Sequence, residues 1–325
     1  MMKRKIFATA AALTLSTAGF VAASDNNIAD VYSEGGYNTA TVNQVEYSYN
    51  NSATIDQLGF LNNAQIDQEY TYSATAEISQ EGVGNLATIG QYGASLSDAS
   101  IGQLGIFNQA EILQQAAFDS SASIEQAGLG NTAFILQTFS LFDEAEISQA
   151  GVANDATVVQ YGSYTSSGAI DQAGNFNVAN IYQLASAGSM AEVVQMGNGN
   201  QGNIVQFASL NDEARILQSG DFNYAAIAQA FSYDNEALIE QYGTMDVSTI
   251  NQSGANNSYA YIYNDSTSFE NRVEVTQQGD SHYATASTYF GPGSTITINQ
   301  YDSGNTATAT SVGAYNTITI NQGSP

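Results

Sequence analysis

Along the stretch Gln57–Gln80, QLGFLNNAQIDQEYTYSATAEISQ, apolar and polar positions alternate in two short runs. Alanine, isoleucine and glutamine stand two apart in Ala64-x-Ile66-x-Gln68 and again in Ala76-x-Ile78-x-Gln80. Residues two apart share one face of an extended strand, so each run predicts a strand with Ala, Ile and Gln on the same side. A Tyr-rich turn, Glu69-Tyr70-Thr71-Tyr72, separates the runs. Gly59, in Gln57-x-Gly59-x-x-Asn62, is expected to supply the positive φ of a tight turn. Spacing by two, with β-branched residues between Ala and Gln, does not suit a helix.

The unit then repeats. Gln57, Gln80, Gln103, Gln126, Gln149, Gln172, Gln195, Gln218 and Gln241 lie 23 residues apart. Gln68, Gln91, Gln114, Gln137, Gln160, Gln183, Gln206, Gln229 and Gln252 keep the same period, interleaved at steps of 11 and 12. A fixed period with two strands per unit predicts an all-β fold, a β-solenoid of stacked strand–turn–strand coils. About thirteen coils rising ~4.8 Å each would make a rod on the order of 60 Å long.

Register stacking gives the glutamines a purpose. Each side-chain amide can donate to the one in the next coil and accept from the one before, forming a ladder along the axis. A buried amide left unpaired would cost about 1–3 kcal/mol. The asparagines Asn62, Asn85, Asn108, Asn131, Asn154, Asn177, Asn200 and Asn223 form a matching column. Ile and Val fill a thin core, and Ala lets the strand layers approach.

Other columns differ. Tyr72, Phe118, Leu141, Tyr164, Leu210 and Tyr233 recur at the turn, interrupted by Ser95 and Ala187. They are expected to cover the core edge, a carbohydrate platform being the other reading. Outward positions carry scattered acids (Glu77, Glu125, Glu146, Asp171, Glu192, Glu240), which hydrate the faces and guard aggregation-prone strands. Arg215 stands one coil above Glu192, which predicts an ion pair. The residue before glutamine in the second series reads Leu113, Leu136, Val159, Tyr182 and Val205. That outward apolar stripe suggests lateral packing against another filament.

The chain divides into four parts. Residues 1–23 resemble a secretory signal peptide, with Lys3-Arg4-Lys5, the apolar run Ile6 to Phe20 and the small-residue site Val21-Ala22-Ala23. Residues 24–39 show no repeat and are expected to be a flexible N-terminal segment. The regular array is assigned to 40–257, opening at Ala40 and regular from Ala53. Residues 258–325 hold degenerate repeats, in which Asn264 takes a glutamine slot and Ser294–Gln300 and Thr317–Gln322 resume the pattern. Atypical terminal units are usual where an array ends.

Charge and composition narrow the function. The chain has 31 acidic and five basic residues, a formal net charge of -26, and no cysteine. Arg215 and Arg272 are the only basic residues beyond the leader. Such a chain disfavours nucleic acid and anionic membrane, and no segment after the leader reaches spanning length. No Ser-His-Asp set, metal cluster or phosphate loop is visible, so neither enzyme activity nor a cofactor is expected. His282, the one histidine, occupies an asparagine slot and reads as structural.

The pattern A-x-I-x-Q-x-G-x-x-N-x-A-x-I-x-Q, as in Ala53 to Gln68, Ala76 to Gln91 and Ala122 to Gln137, resembles the curlin repeat of bacterial curli subunits. The resemblance covers about residues 40–322. It implies a secreted structural subunit of an extracellular, cell-surface amyloid fibre of a Gram-negative-type bacterium, serving adhesion and biofilm formation. It implies as partners further copies of the chain, another curli subunit, and an outer-membrane secretion pore with its chaperones; residues 24–39 would be the secretion-targeting segment. The array is longer and more acidic than a familiar curlin. A-x-I-x-Q on both strands is reminiscent of the minor, nucleating subunit, whereas length favours the fibre-building one.

Two other classes compete. A non-fibrous β-solenoid that binds ice or polysaccharide needs a column of identical outward residues. The outward slot of one strand instead reads Thr54, Glu77, Ser100, Ser123, Glu146, Ala169, Glu192. A β-helical lyase or hydrolase needs a local acid or base cluster breaking the repeat, and only 258–291 has room for one.

Overall fold

The computed structural model describes residues 26–45 and 47–324, with Ile6–Thr9 and Thr14–Leu15 as backbone alone. The leader expected at 1–23 otherwise lies outside the described residues. Among these every regular element is a strand, and no helix is long and apolar enough to cross a membrane. The chain forms two compact units, residues 1–164 and 165–325.

The first unit stacks six coils, from Ile28–Gly36 with Thr39–Val45 to Glu144–Val152 with Asp155–Tyr161. Each coil is a long strand of nine residues followed by a short strand of seven. Long strands pair only with long strands and short with short, all parallel and one repeat out of phase. Ile55 lies beside Ile78 and Gln57 beside Gln80, while Ile112 lies beside Ile135 and Gln114 beside Gln137. The two parallel sheets face each other across a single layer of side chains.

The second unit stacks seven coils, from Ser167–Asn175 with Val178–Leu184 to Thr306–Val312 with Thr317–Gln322. Its first three keep the nine-and-seven lengths. Beyond them the pattern loosens without losing its register. The step from Gln252 to Gln277 is 25 residues, and a bulge between Gln252 and Ala255 absorbs part of the excess. The rest protrudes near Ser268–Phe269, which pairs with Gly291–Pro292.

The alternation of the sequence becomes alternation of burial. In Thr75–Val83 the inward Ala76, Ile78 and Gln80 are buried and Glu77, Ser79 and Glu81 are exposed. The isoleucine column, Ile55, Ile78, Ile101, Ile124 and Ile147 on the long strands, is 0–2% exposed throughout the first unit. Burying one such side chain contributes about 1.5–3 kcal/mol. Because a coil has one Ile per strand, the core lengthens with each repeat but never thickens.

Three expectations need correction. The segment 24–39 is not a free leader to the array, because Ile28–Gly36 is its first long strand, registered on Ser52–Phe60. Ala29, Val31, Gly35 and Asn38 hold the repeat positions, and Ser33 in the glutamine slot hid the match. Second, the repeat glycine is not the turn residue. Gly59 lies within Ser52–Phe60 at φ 120°, and the left-handed turn conformation falls two residues later, at Leu61 (φ 59°). Phe107, Phe176 and Phe222 take that same conformation in other coils. Third, the aromatic turn column does not cover the core. Tyr72, Phe118, Leu141, Tyr164, Leu210 and Tyr233 are 39–52% exposed. The edge of the core is closed instead by small side chains beside them, among them Thr71, Ala94, Ala117 and Ser140. The tight turn leaves no room inside for a ring.

Candidate assembly site in the amide ladders

The long-strand glutamines of the first unit form a continuous chain. The Nε2 amide of Gln57 donates to Gln80 Oε1 at 2.9 Å, Gln80 to Gln103 at 2.8 Å, Gln103 to Gln126 at 2.9 Å and Gln126 to Gln149 at 2.8 Å. The short-strand column starts one coil earlier, Gln44 to Gln68 at 2.8 Å, and runs through Gln91, Gln114 and Gln137 to Gln160 at 2.7–2.9 Å. In the second unit Gln172, Gln195, Gln218 and Gln241 are linked at 2.8–2.9 Å. The other column runs Gln183, Gln206, Gln229, Gln252, Gln277, Gln300 and Gln322 at 2.9–3.0 Å. Gln44 thus extends the first unit's short-strand column, and Gln277, Gln300 and Gln322 the second unit's, beyond the regular sequence period.

Each amide has a second proton, and it ties the sheets together. Gln80 Nε2 also donates to the Asn63 carbonyl at the start of a short strand, 3.1 Å away, and Gln91 Nε2 to the Ser97 and Thr75 carbonyls, both at 3.1 Å. One side chain therefore joins neighbouring coils through its first N–H and the two sheets through its second. Only a primary amide offers two donors and an acceptor in this geometry.

The asparagine column works with the glycine. Asn62 Oδ1 accepts the backbone N–H of Asn85 at 3.0 Å, and Asn62 Nδ2 donates to the Gly82 carbonyl of the next coil at 3.2 Å. The same pair of bonds recurs from Asn85, Asn108 and Asn131 in the first unit, and from Asn200 in the second. Asn154, Asn177 and Asn223 hold the same slots and are buried. The glycine is required because successive backbones approach closely there. A Cβ on Gly59 would meet the Gly82 carbonyl oxygen at 2.0 Å, and one on Gly82 the Gly105 oxygen at 1.9 Å.

Three buried aspartates interrupt these polar columns, and the sequence reading did not single them out. Asp246 follows Asn223 in the asparagine column, while Asp143 and Asp212 lie in the second polar column at the opposite turn. A carboxylate has no N–H for a carbonyl, and in each case a serine hydroxyl faces it: Ser163 to Asp143 and Ser232 to Asp212, both at 2.5 Å, and Ser268 to Asp246. Burial pushes the Asp246 carboxyl up to about 6, against the Ser268 hydroxyl and the Asn271 N–H, which favour the charged form. Burial also raises Asp212. Aspartate in an asparagine slot, with serine about a coil later, was the available signal.

The remaining expected positions fall as follows. Leu113, Leu136 and Val159 are half-buried and stacked in register on the outward face of the first unit's short strands. Tyr182 and Val205 occupy that column in the second unit, each 37% exposed. Arg215 Nε meets Glu192 Oε2 at 2.7 Å across adjacent coils, worth about 0–1 kcal/mol at such exposure. His282 is buried, with Nε2 donating to the Gln278 carbonyl at 2.9 Å, so it plays the asparagine's part in the second polar column. Among the described residues no group of three or more acids or histidines is arranged to hold a metal. A tyrosine cluster on the second unit's long strands went unnoticed in the sequence: Tyr259 stacks on Tyr283 at 5.1 Å, Tyr263 packs between Tyr261 and Tyr289, and the Tyr261 hydroxyl donates to Glu240 at 2.6 Å.

Parallel coils of one strand–turn–strand repeat, zipped by side-chain amides, define a parallel β-solenoid. The family model of the curlin associated repeat matches residues 73–105, 211–243 and 270–301, so these three stretches of the solenoid are similar to that repeat. No curated protein matches the chain.

Proposed function

We propose that this chain is a secreted structural subunit that polymerises head to tail into a curli-like extracellular amyloid fibre, serving cell adhesion and biofilm matrix formation. The observation that carries the reading is the polarity of the ladders. The short-strand glutamines donate toward the C-terminal coil, from Gln44 to Gln68 at one end and from Gln300 to Gln322 at the other, so the first coils are left with acceptors and the last short strand with a donor. The long-strand ladder ends at Gln241, whose amide turns to Ser248 Oγ. Gln44 Oε1 and Gln57 Oε1 are buried and have no partner among the described residues, Ser33 standing where a glutamine would precede Gln57. At the other end Gln322 Oε1 accepts from Gln300 Nε2, and Gln322 Nε2 donates to the Thr306 carbonyl. With the leader removed, a second copy would supply what each end lacks and would pair with the edges of Ile28–Gly36 and Thr39–Val45, which Ile6–Thr9 and Thr14–Leu15 otherwise occupy.

The leader, and a secretion-targeting role for residues 24–39 together with the outer-membrane pore and chaperones it would address, rest on the curlin resemblance. Residues Leu113, Leu136 and Val159, with Tyr182 and Val205, are the surface through which filaments would pack side by side. The test is direct: purified residues 24–325 should pass from soluble chain to dye-binding filaments with a fibre-diffraction spacing near ~4.8 Å along the axis. Chain that stayed monomeric and bound no amyloid dye over days would overturn the reading.

A further inference from the structure

The first and last coils are written in one pattern. At an offset of 278 residues, 27–44 and 305–322 are identical at ten of eighteen positions, against six between 27–44 and its own next coil, 51–68. Much of the agreement falls on residues uncommon elsewhere in the array. Ser33 and Ser311 stand in the long-strand glutamine slot. Tyr37 and Tyr315 take the left-handed turn position, at φ 60° and 55°. Asn43 and Asn321 stand outward, just before the first and last short-strand glutamines.

The polar groups left over at the two ends are complementary. Asn43 Nδ2 donates to Asp67 Oδ1 at 2.6 Å, while its own Oδ1 is buried with no partner among the described residues. At the far end Asn299 Nδ2 donates to Asn321 Oδ1 at 2.8 Å, and Asn321 Nδ2 has no partner among the described residues. This outward column therefore runs in the direction of the glutamine ladder beside it. Asn38 Nδ2 reaches the Gly59 carbonyl of the next coil at 3.0 Å. Asn316 Nδ2 has no further coil to reach and turns back to Ser311 Oγ and the Val312 carbonyl, both at 3.0 Å. Ile318 and Ile320, inward on the last strand, and Val31, inward on the first long strand, are only half-buried, whereas Ile55 and Ile66 are fully buried.

We infer that residues 306–322 of one copy seat on residues 28–44 of the next in a single register, long strand on long and short on short, and that the two serines select it. The inference rests on the fibre reading and specifies its junction, a heterologous contact that leaves the chain of subunits open. Inner coils carry no such mark. Ala76, Ile78 and Gln80 on Thr75–Val83 have the same spacing as Ala87, Ile89 and Gln91 on Leu86–Tyr92. A half-turn about the stacking axis therefore exchanges two similar surfaces and keeps the strands parallel. The terminal coils differ, with serine in the long slot and glutamine in the short one. In the matched register Gln322 Nε2 meets Gln44 Oε1, Asn321 Nδ2 meets Asn43 Oδ1, and Ser311 faces Ser33. After a half-turn Gln322 faces Ser33 and Gln44 faces Ser311. A serine hydroxyl is two bonds shorter than a glutamine amide, so both carboxamides fall short of a partner. Unsatisfied groups of this kind disfavour the turned register by at least about tenfold.

The experiment uses residues 24–325, which hold no cysteine, with cysteine pairs set on the outward faces of the terminal coils. Thr41→Cys with Thr319→Cys couples in the matched register, where the two positions are neighbours ~4.8 Å apart, within the span of a disulfide. Thr41→Cys with Thr308→Cys couples only after a half-turn. Oxidised filaments, dissolved and run without reductant, should give a ladder of linked multimers for the first pair and at least about tenfold less for the second. Equal coupling of the two pairs, or coupling of neither in filaments that form, overturns the inference and leaves the fibre reading standing. With Ser33→Gln and Ser311→Gln added, the second pair should rise to about the level of the first. A variant that keeps the parental preference, or no longer elongates, overturns the selection by serine. A parent chain that never elongates overturns the fibre reading. The junction is then read on soluble chain: linked dimers from the first pair alone support it, and their absence at high concentration sinks it.

Discussion

Asn62 Nδ2 donates to the carbonyl oxygen of Gly82, one coil on, while a Cβ on Gly82 would stand 1.9 Å from the Gly105 oxygen. The two residues form one device: glycine lets successive backbones close in, and asparagine uses the carbonyl thereby brought within reach.

Gly82→Ala should consequently be among the most damaging single changes, on the order of 3 kcal/mol, because alanine meets both a positive φ and a backbone atom that cannot yield. Ala99→Gly, on an inward but uncrowded position, is the comparison and should cost about 1 kcal/mol. Denaturant unfolding of soluble chain, or of filaments where they form, would separate the two.

Gln126→Leu keeps volume but strands the Gln103 N–H and the Gln149 carbonyl oxygen in the core. With two buried partners left unsatisfied, the expected loss is on the order of 2–5 kcal/mol. Gln115→Leu, outward on a neighbouring short strand, should change stability by less than about 0.5 kcal/mol. Equal losses in the two variants would count against an energetic role for the ladder.

Acidification should stabilise the second unit. The Asp246 carboxyl is raised to about 6 in the folded chain from an ordinary value near 3.8. The folded state thus holds the proton more tightly, so its contribution is fully present below the unfolded value and is lost as pH rises through the folded one. Between about pH 4 and pH 6 stability should fall with rising pH, by up to roughly 3 kcal/mol from this group. Asp212, raised in the same direction, adds to the slope. Asp246→Asn should flatten the profile, as read from unfolding midpoints across that range.

Leu136→Lys and Val159→Lys place charge on the stacked outward stripe without touching either ladder. Filaments should still elongate at the parental rate but should no longer bundle, as scored in electron micrographs. Unchanged bundling would remove the stripe from the lateral contact.

Much of the fold was legible because a strand's period is two and a coil's is 23. Ala76, Ile78 and Gln80 could be assigned inward, and Glu192 placed beside Arg215, by counting alone. Counting failed where another residue filled a slot. Ser33 concealed the first long strand, although Gly35 and Asn38 stand 24 residues before Gly59 and Asn62. The direction of the repeat's glycine was likewise unreadable, since a positive φ at a strand end and one in a turn leave the same letter in the chain.

The primary structure alone determined that coils stack and which side chains they share, because a fixed repeat lets every position meet its own equivalent. Only the folded chain decided which way the amides point, and therefore that Gln44 ends in an acceptor and Gln322 in a donor. It also decided that Asp143, Asp212 and Asp246 are buried against serine hydroxyls. Those outcomes depend on which groups lie across a coil and beyond its end, and such neighbours are set by three-dimensional packing, not by spacing along the backbone.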